Sequence, residues 1–220
     1  MLELTTAFFN PFESKEVTPA FSSHWHVKRQ LAQQLRQLTE VLVTSAADEA
    51  LLHTTTAAIA QLTNALEQAP RRYGTLDFAG SGEHGEYGEI THEINAVGGQ
   101  SNPLAPGLNM WIEGSQAHGT VTCGHAYEGP PGFVHGGYIA AIFDQFLGMA
   151  QVAGGQPGMT GSLTIRYLRP TPLNTELELS ARVERVEGRK TIVTGEMRAA
   201  GYVTATSEAL FVRPLQGMPR

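Results

Sequence analysis

The chain lacks several features that define easily recognised classes of protein. Cys123 is its one cysteine, which excludes an intrachain disulfide and a multi-cysteine metal site and fits a reducing compartment. Its eight histidines are scattered without the spacing of a ligand cluster, so we expect no metal site. No apolar run approaches the roughly 18 residues of a membrane span. We therefore expect neither a secreted scaffold, nor a zinc domain, nor a membrane protein.

Positive charge is also scarce. Lys and Arg number 15 against 21 Asp and Glu, which gives a net charge of −6 and disfavours nucleic acid as a main partner. Local basic groups that hold a small anionic ligand remain compatible with this balance. The first residues lack the basic and apolar regions of a secretory signal, so we expect a cytoplasmic protein. With 41% hydrophobic residues, the 220 residues suffice for one globular domain and an extension.

The first part of the chain, residues 1–70, predicts a helical hairpin. Leucines at helical spacing predict an amphipathic helix over roughly 23–44. A capping box at 45–48 opens a second helix, which ends before Pro70. We expect the hairpin to pack on the main domain or on a partner subunit and to carry no chemistry of its own.

The rest of the chain divides into a loop and a mixed domain. Residues 71–107 are rich in Gly and Pro and predict a long connecting loop. In residues 108–213 apolar and polar side chains alternate, which predicts strands near 108–113 and 116–124, an apolar helix, and four further strands. Short connections between the last strands imply antiparallel pairing. Because the helix is apolar nearly all round, we expect a curved sheet to cover it, in an α+β fold.

That helix contains an isolated acid and begins with glycines. Asp144 is the only charged side chain from Gly136 to Gln156. A lone carboxylate among apolar side chains must find hydrogen bonds, take up a proton or face an opening. Gly136 and Gly137 leave N–H groups free at the helix start, which suits a polarised carbonyl or an oxyanion. The two features together indicate acyl-transfer chemistry.

Three separate segments carry a family resemblance. They are 128–137, which contains His135-Gly136-Gly137 nine places before Asp144, then 160–170, then 186–190. In this order they closely resemble acyl-CoA thioesterases of the phenylacetate-pathway (PaaI) group, nearest to the branch called thioesterase superfamily members (THEM). The resemblance covers about 108–213 and implies a hotdog fold, in which an antiparallel curved sheet of about six strands wraps around one long central helix.

The resemblance implies roles for five residues in the hydrolysis of an acyl-CoA. A backbone N–H of Gly136 or Gly137 would polarise the thioester carbonyl. Asp144 would act as general base on water, or as nucleophile through a mixed anhydride. Thr160 matches the position whose hydroxyl orients the attacking water, and His135 would shape the pocket and the glycine turn. No cofactor is implied, because coenzyme A is part of the substrate.

One position departs from the family pattern, and the substrate-binding residues are less specific. The phenylacetate-pathway branch usually has an asparagine six residues before the histidine, where this chain has Gly129, so Glu128 or a backbone group would have to replace it. Cations for the phosphates of coenzyme A are expected on the later strands, and rings for the acyl group on the helix. These candidates are Arg166, Arg169, Arg189, Lys190, Tyr138 and Phe143. Surface salt bridges and core packing are the alternatives.

Helix geometry predicts a shared site. Gly136 and Gly137 precede Asp144 by two turns, about 10–12 Å along the axis. An attacking water must lie within about 3–3.5 Å of the thioester carbon, so Asp144 of the same helix scarcely reaches it. We therefore predict a homodimer in which Asp144 of one chain faces the helix start of the other across a two-fold axis. Pairing of dimers into a tetramer is left open.

Two other functions are compatible with the sequence. The first alternative is a hotdog module that binds acyl-CoA or acyl-carrier protein without turnover. The second is a dehydratase on the same fold, which would need a histidine working with an acid in another arrangement. A serine hydrolase finds no support, because no Gly-x-Ser-x-Gly elbow is present.

Overall fold

The computed structural model describes residues 12–155 and 157–215. The helices are α1 (Ser23–Thr44), α2 (Glu49–Glu67), α3 (Thr75–Gly80), α4 (Tyr87–Ile94) and α5 (Gly136–Ala150). The strands are β1 (Asn109–Glu113), β2 (Gln116–Thr122), β3 (Met159–Tyr167), β4 (Glu176–Glu187), β5 (Lys190–Ala199) and β6 (Tyr202–Val212). Short 3-10 turns cover His125–Tyr127 and Gln151–Gly154.

The six strands form one antiparallel sheet in the order β1-β2-β4-β5-β6-β3. Sequential hairpins join β1 to β2, β4 to β5 and β5 to β6. The last two were predicted from their short connections. β3 follows α5 and joins the sheet at the far edge beside β6. Within the described chain, β1 and β3 are therefore the two edges of the sheet.

Helix α5 fills the concave side of this sheet, and the expected hotdog arrangement is confirmed. Seven of its fifteen residues are buried: Ile139, Ile142, Phe143, Phe146, Leu147, Met149 and Ala150. Their partners are the inward-facing residues of the strands, such as Leu177, Val193 and Phe211. At Gly195 a side chain would collide with α5, because a β-carbon there would lie 2.8 Å from Leu147 Cδ2. The helix approaches the centre of the sheet closely at this glycine.

Helix α1 begins and ends as predicted and docks on α3 and α4. Trp25 is fully buried, and its indole N–H donates to the His84 carbonyl at 2.7 Å. One turn later, Arg29 forms a bidentate ion pair with Glu93, whose side chain is 2% exposed. Ser101 donates a further hydrogen bond to Glu93. The first helix of the extension is thus fastened by an aromatic anchor and a buried ion pair.

The second helix differs from the expectation in two respects. Its N-cap is Asp48, whose carboxylate accepts from the Leu51 N–H at 2.9 Å, whereas Ser45 bonds the N–H of Ala47. None of the residues of α2 is buried. Packing on the main domain therefore holds for α1 and not for α2.

The predicted loop at 71–107 was wrong in part, because it contains α3 and α4. Both helices are short, at six and eight residues, so neither repeats an apolar pattern long enough to stand out among the glycines. Helix α4 has a capping box in which Glu86 and Glu89 each accept from the other's backbone N–H. Its last turn carries Glu93, the buried partner of α1.

His92, next to Glu93, should make stability depend on pH. Burial, with Arg29 as a second cause, lowers the pKa of His92 from 6.5 to about 4. Between about pH 4 and pH 6.5 the unfolded chain therefore binds a proton at His92 that the folded chain does not bind. The free energy of unfolding is not reduced by this protonation above about pH 6.5. Below that it should fall by up to about 1.4 kcal/mol per pH unit until about pH 4. Urea unfolding at about pH 7.5 and pH 5, compared with His92→Gln, measures this; equal pH dependence of the two proteins would contradict it.

Candidate active site

The start of α5 is built around His135. This residue is the N-cap, and its Nδ1 accepts from the Gly137 N–H at 3.0 Å. Nδ1 is therefore unprotonated, and in the neutral ring the proton lies on Nε2. The N–H of Gly136, the first residue of α5, has no carbonyl within its own helix to which it can donate. The structure thus gives His135 a role in shaping the glycine turn and leaves Gly136 as the less engaged of the two N–H donors.

Tyr167 supports this helix start from the neighbouring strand. Its hydroxyl donates to the Gly136 carbonyl at 2.9 Å. A β-carbon on Gly136 would lie 3.4 Å from the hydroxyl oxygen of Tyr167. Tyr167 was not among the site residues predicted from the sequence. The only sequence signal was that Tyr167 ends the apolar positions of β3, so that a ring with a hydroxyl group stands at the end of the strand.

Asp144 lies two turns further along α5, where it contacts Thr160 of β3. The Thr160 hydroxyl donates to Asp144 Oδ1 at 2.8 Å, and both residues are exposed. The lone acid therefore finds a hydrogen bond and faces an opening. These are two of the three outcomes that its isolated position allowed.

A β-bulge aims Thr160 at the acid. The register between β3 and β6 shifts between Thr160 and Ser162, so Gly161 is an extra residue in β3. Thr160 consequently pairs with Phe211, a core residue on the α5 side, whereas Ser162 pairs with Leu210 on the opposite face. If Thr160, Gly161 and Ser162 instead alternated as a regular strand, Thr160 would share the face of Ser162 and point away from α5.

At position 129 the family's asparagine has no room in this conformation. A β-carbon on Gly129 would lie 2.6 Å from the Cα of His135. The loop is closed there by bonds from the Gly129 N–H to the Phe133 carbonyl and from the His135 N–H to the Tyr127 carbonyl. Glu128 is occupied as well, because its carboxylate accepts from the Gly132 N–H at 2.6 Å.

The cationic residues expected to bind phosphates lie at two opposite ends of the sheet. Lys190 pairs with Val212, which pairs with Met159, so Arg189 and Lys190 share the end that holds Thr160. Arg169 lies at the other end, where it donates to the Val203 carbonyl. Arg166 is exposed on the face of the sheet away from α5 and pairs with Thr206. One chain does not bring the four cations together.

The two expected acyl contacts differ in exposure. Phe143 is fully buried in the core, so the structure gives it the packing role that the sequence analysis left open. Tyr138 is 38% exposed in the first turn of α5, and its ring packs edge-on against Tyr127 with centroids 4.8 Å apart. Burial is the main cause that raises the pKa of Tyr127 to about 12, so its phenol stays neutral.

Other chemistries find little basis in the described residues. None of their histidines, cysteines and acids forms a group of three or more that could hold a metal ion. Burial raises the pKa of the Cys123 thiol to about 11, which disfavours a thiolate nucleophile. No helix within residues 12–155 and 157–215 has the length and apolar character to cross a bilayer.

The sheet wrapped around α5, with a capped glycine start and an exposed acid on that helix, defines the hotdog class of proteins. The family model of the thioesterase superfamily matches residues 131–214. A crystal structure of a thioesterase superfamily protein aligns with a TM-score of 0.73 at 32% identity, over 89% of this chain and 97% of that chain. The chain therefore belongs to the thioesterase superfamily.

Curated relatives match a smaller part of the chain. Acyl-coenzyme A thioesterase THEM4 of Xenopus laevis is 38% identical over 90 residues, which are 39% of this chain and 40% of that protein. THEM4 of Mus musculus is 36% identical over 88 residues, which are 39% of this chain and 38% of that protein. The chain thus spans about two fifths of the curated relatives that it matches. The solved structure, by contrast, aligns with so much of this chain that the match includes most of the N-terminal extension.

Proposed function

We propose that the protein hydrolyses acyl-CoA thioesters to the free acid and coenzyme A. The observation that carries this proposal is the hydrogen bond from Thr160 to the exposed Asp144 carboxylate on a helix that begins with two glycines. Asp144 takes the proton of a water that Thr160 helps to orient, or attacks as nucleophile. The helix start, through Gly136 or Gly137, stabilises the oxyanion. No cofactor takes part in this hydrolysis.

The two halves of this site come from two subunits in our proposal. Seven to eight helical residues separate Asp144 from the glycines, about 10–12 Å at the rise of an α-helix. β3 offers a dimer contact, because within residues 12–155 and 157–215 it is an edge strand with one row of backbone groups unpaired by any other strand. Large exposed apolar residues lie along this edge and beside the helix start: Phe133, Tyr138, Met159, Tyr167 and Leu168.

Antiparallel pairing of two β3 strands would assemble the halves. Thr160 at one end of β3 contacts Asp144, and Tyr167 at the other end contacts Gly136. A two-fold axis near the middle of the strand, at Leu163, places the Thr160 end of one subunit opposite the Tyr167 end of its partner. Each Asp144 then faces the helix start of the other chain.

The same pairing would gather the cations. Arg189 and Lys190 lie at the Asp144 end of the sheet, and Arg169 lies at the Tyr167 end. A dimer joins these ends at each site, and Arg166 lies on β3 between them. Such a cluster suits the phosphates of coenzyme A, although the chain as a whole is acidic. This convergence supports coenzyme A as the thiol carrier.

A screen of thioesters tests the function. Acetyl-, octanoyl- and phenylacetyl-CoA are incubated with the native protein and with the Asp144→Asn variant, and the released thiol is followed with a chromogenic reagent. We expect release by the native protein and almost none by the variant. If all three esters stay intact although the protein binds them, the chain is a non-catalytic binding module.

Hybrid dimers test the sharing of the site. Asp144→Asn subunits keep an intact helix start, and Gly137→Leu subunits keep the acid while their helix start is blocked. After the two variants are unfolded and refolded together in equal amounts, about a quarter of the sites should be intact, by random pairing. Each variant refolded alone is the control and should stay inactive. A monomer in sedimentation, or hybrids without recovered activity, would refute the shared site.

A further inference from the structure

A groove of about 500 Å³ runs between α1 and the thioesterase domain. Its lining includes Leu35 of α1, then Pro103 and Leu104 of the segment before β1, and the rings of Tyr127 and Tyr138. Of these five residues, only Tyr138 falls within the part of the chain that the family model matches.

The groove reaches the helix start of the candidate active site through Tyr138. Tyr138 directly follows Gly137, and its own N–H donates to the carbonyl of the N-cap residue His135. A thioester carbonyl held at the helix start therefore has the groove beside it. One of the two arms of the substrate, the acyl group or the pantetheine, can enter the groove from there.

The walls favour the acyl group. The leucine and proline side chains and the tyrosine rings offer apolar surface, which suits a hydrocarbon tail. The pantetheine arm, by contrast, carries two amides that need hydrogen-bond partners. The carboxylate of Glu40 also lines the groove, but it accepts from the N–H groups of His125 at 2.8 Å and Ala126 at 2.9 Å. This acid is therefore engaged with the protein's own backbone.

These polar contacts hold the groove in shape. Glu40 fastens the second half of α1 to the turn at His125–Tyr127 on one side. Arg36, one turn earlier, donates to the Asn102 carbonyl at 2.9 Å on the other side, next to the wall residue Pro103. The charged residues of this part of α1 thus tie the helix across both sides of the groove, and Leu35 faces the space between them.

We propose that α1 and the segment 103–106 form the acyl-binding groove of the site and select thioesters whose acyl group is apolar and longer than acetyl. The proposal rests on the proposed function, because it assigns the acyl arm of that substrate. It gives the N-terminal extension a part in specificity, where the sequence analysis expected only packing.

A tryptophan at position 35 tests the groove. Leu35→Trp should fill part of the space, so that kcat/KM for octanoyl-CoA falls relative to that for acetyl-CoA by about tenfold or more. Each methylene that loses its apolar surroundings costs roughly fourfold. The matched control is Leu42→Trp, on the same helix at a 56% exposed position outside the groove, which should leave the ratio unchanged. Leu104→Asp, at a 68% exposed position elsewhere in the lining, repeats the test without risk to the core.

Binding measurements separate this proposal from the proposed function. Calorimetric titration of the Asp144→Asn protein with octanoyl-CoA and acetyl-CoA needs no turnover, so it is informative even if no ester is hydrolysed. We expect the preference for octanoyl-CoA to be lost with Leu35→Trp and with Leu104→Asp, and to be kept with Leu42→Trp. If folded proteins carrying either groove substitution keep the native preference in both assays, the acyl group does not lie in this groove.

Discussion

Replacing Asp144 with asparagine should lower kcat by about 10²- to 10⁴-fold, which is the usual cost of removing a general base. Asparagine has nearly the same shape, and its oxygen can still accept from the Thr160 hydroxyl, which now bonds Asp144 Oδ1 at 2.8 Å. The amide cannot take up the proton of the attacking water and is a poor nucleophile. The loss should therefore appear in kcat, with the folded structure and the binding of substrate retained.

Steady-state rates with a saturating acyl-CoA, together with the thermal midpoint, measure this effect. Glu178→Gln is the matched control, because it removes another exposed carboxylate from the face of the sheet that points away from α5. Thr160→Val should give a smaller loss than Asp144→Asn, since Thr160 helps to orient the water without taking its proton. An Asp144→Asn protein that folds and keeps native kcat would defeat the assignment of the acid.

Replacing Glu93 with alanine should destabilise the protein by about 3–5 kcal/mol. The substitution leaves the Arg29 guanidinium, 17% exposed, without the carboxylate that it contacts at 2.6 Å, and it also removes the acceptor of Ser101. The guanidinium, largely shielded from water, keeps its bond to the Thr18 carbonyl but loses its counter-ion, which is much more costly than the loss of a surface ion pair. Docking of α1 on α4 should suffer most, so the acyl groove should be lost with it.

Urea denaturation gives the free energy of unfolding for this comparison. Glu187→Ala is the matched control, because the Arg185–Glu187 pair has the same chemistry with both side chains more than half exposed, and its loss should cost at most about 1 kcal/mol. A double substitution of Arg29 and Glu93 by apolar residues of similar volume should cost less than Glu93→Ala alone. Equal losses for Glu93→Ala and Glu187→Ala would show that the buried pair has no special weight.

The elements that sequence reasoning recovered are those with a long, regular pattern. The 22 residues of α1 and the alternation in β3 and β4 are readable because each apolar residue repeats a fixed spacing. Helices α3 and α4 are too short to repeat an apolar spacing. Helix α4 is held instead by the ion pair between Arg29 and Glu93, which are 64 positions apart in the sequence. Contacts at that separation are set by the tertiary structure and leave no local signal.

The site shows the same division. Asp144 is readable because it is the only charge in a long apolar helix, and the glycines before it mark the helix start. Tyr167 and Glu40 are not readable, because their partners, the Gly136 carbonyl and the N–H groups of His125 and Ala126, are backbone atoms distant in sequence. Nearly every residue has these backbone groups, so the identity of the partner residue gives no sign of the contact in the sequence.

The bulge at Gly161 has a consequence for how relatives of this chain are compared. Thr160 meets Asp144 because the bulge takes Gly161 out of the alternation of β3. Deleting Gly161 would place Thr160 directly before Ser162 in a regular strand, and the alternation of side chains would keep Thr160 on the α5 side. The contact between Thr160 and Asp144 therefore depends on local strand pairing as well as on residue identity. In a relative that lacks the extra residue, an alignment without a one-residue gap here would match Thr160 with a residue on the opposite face of the sheet.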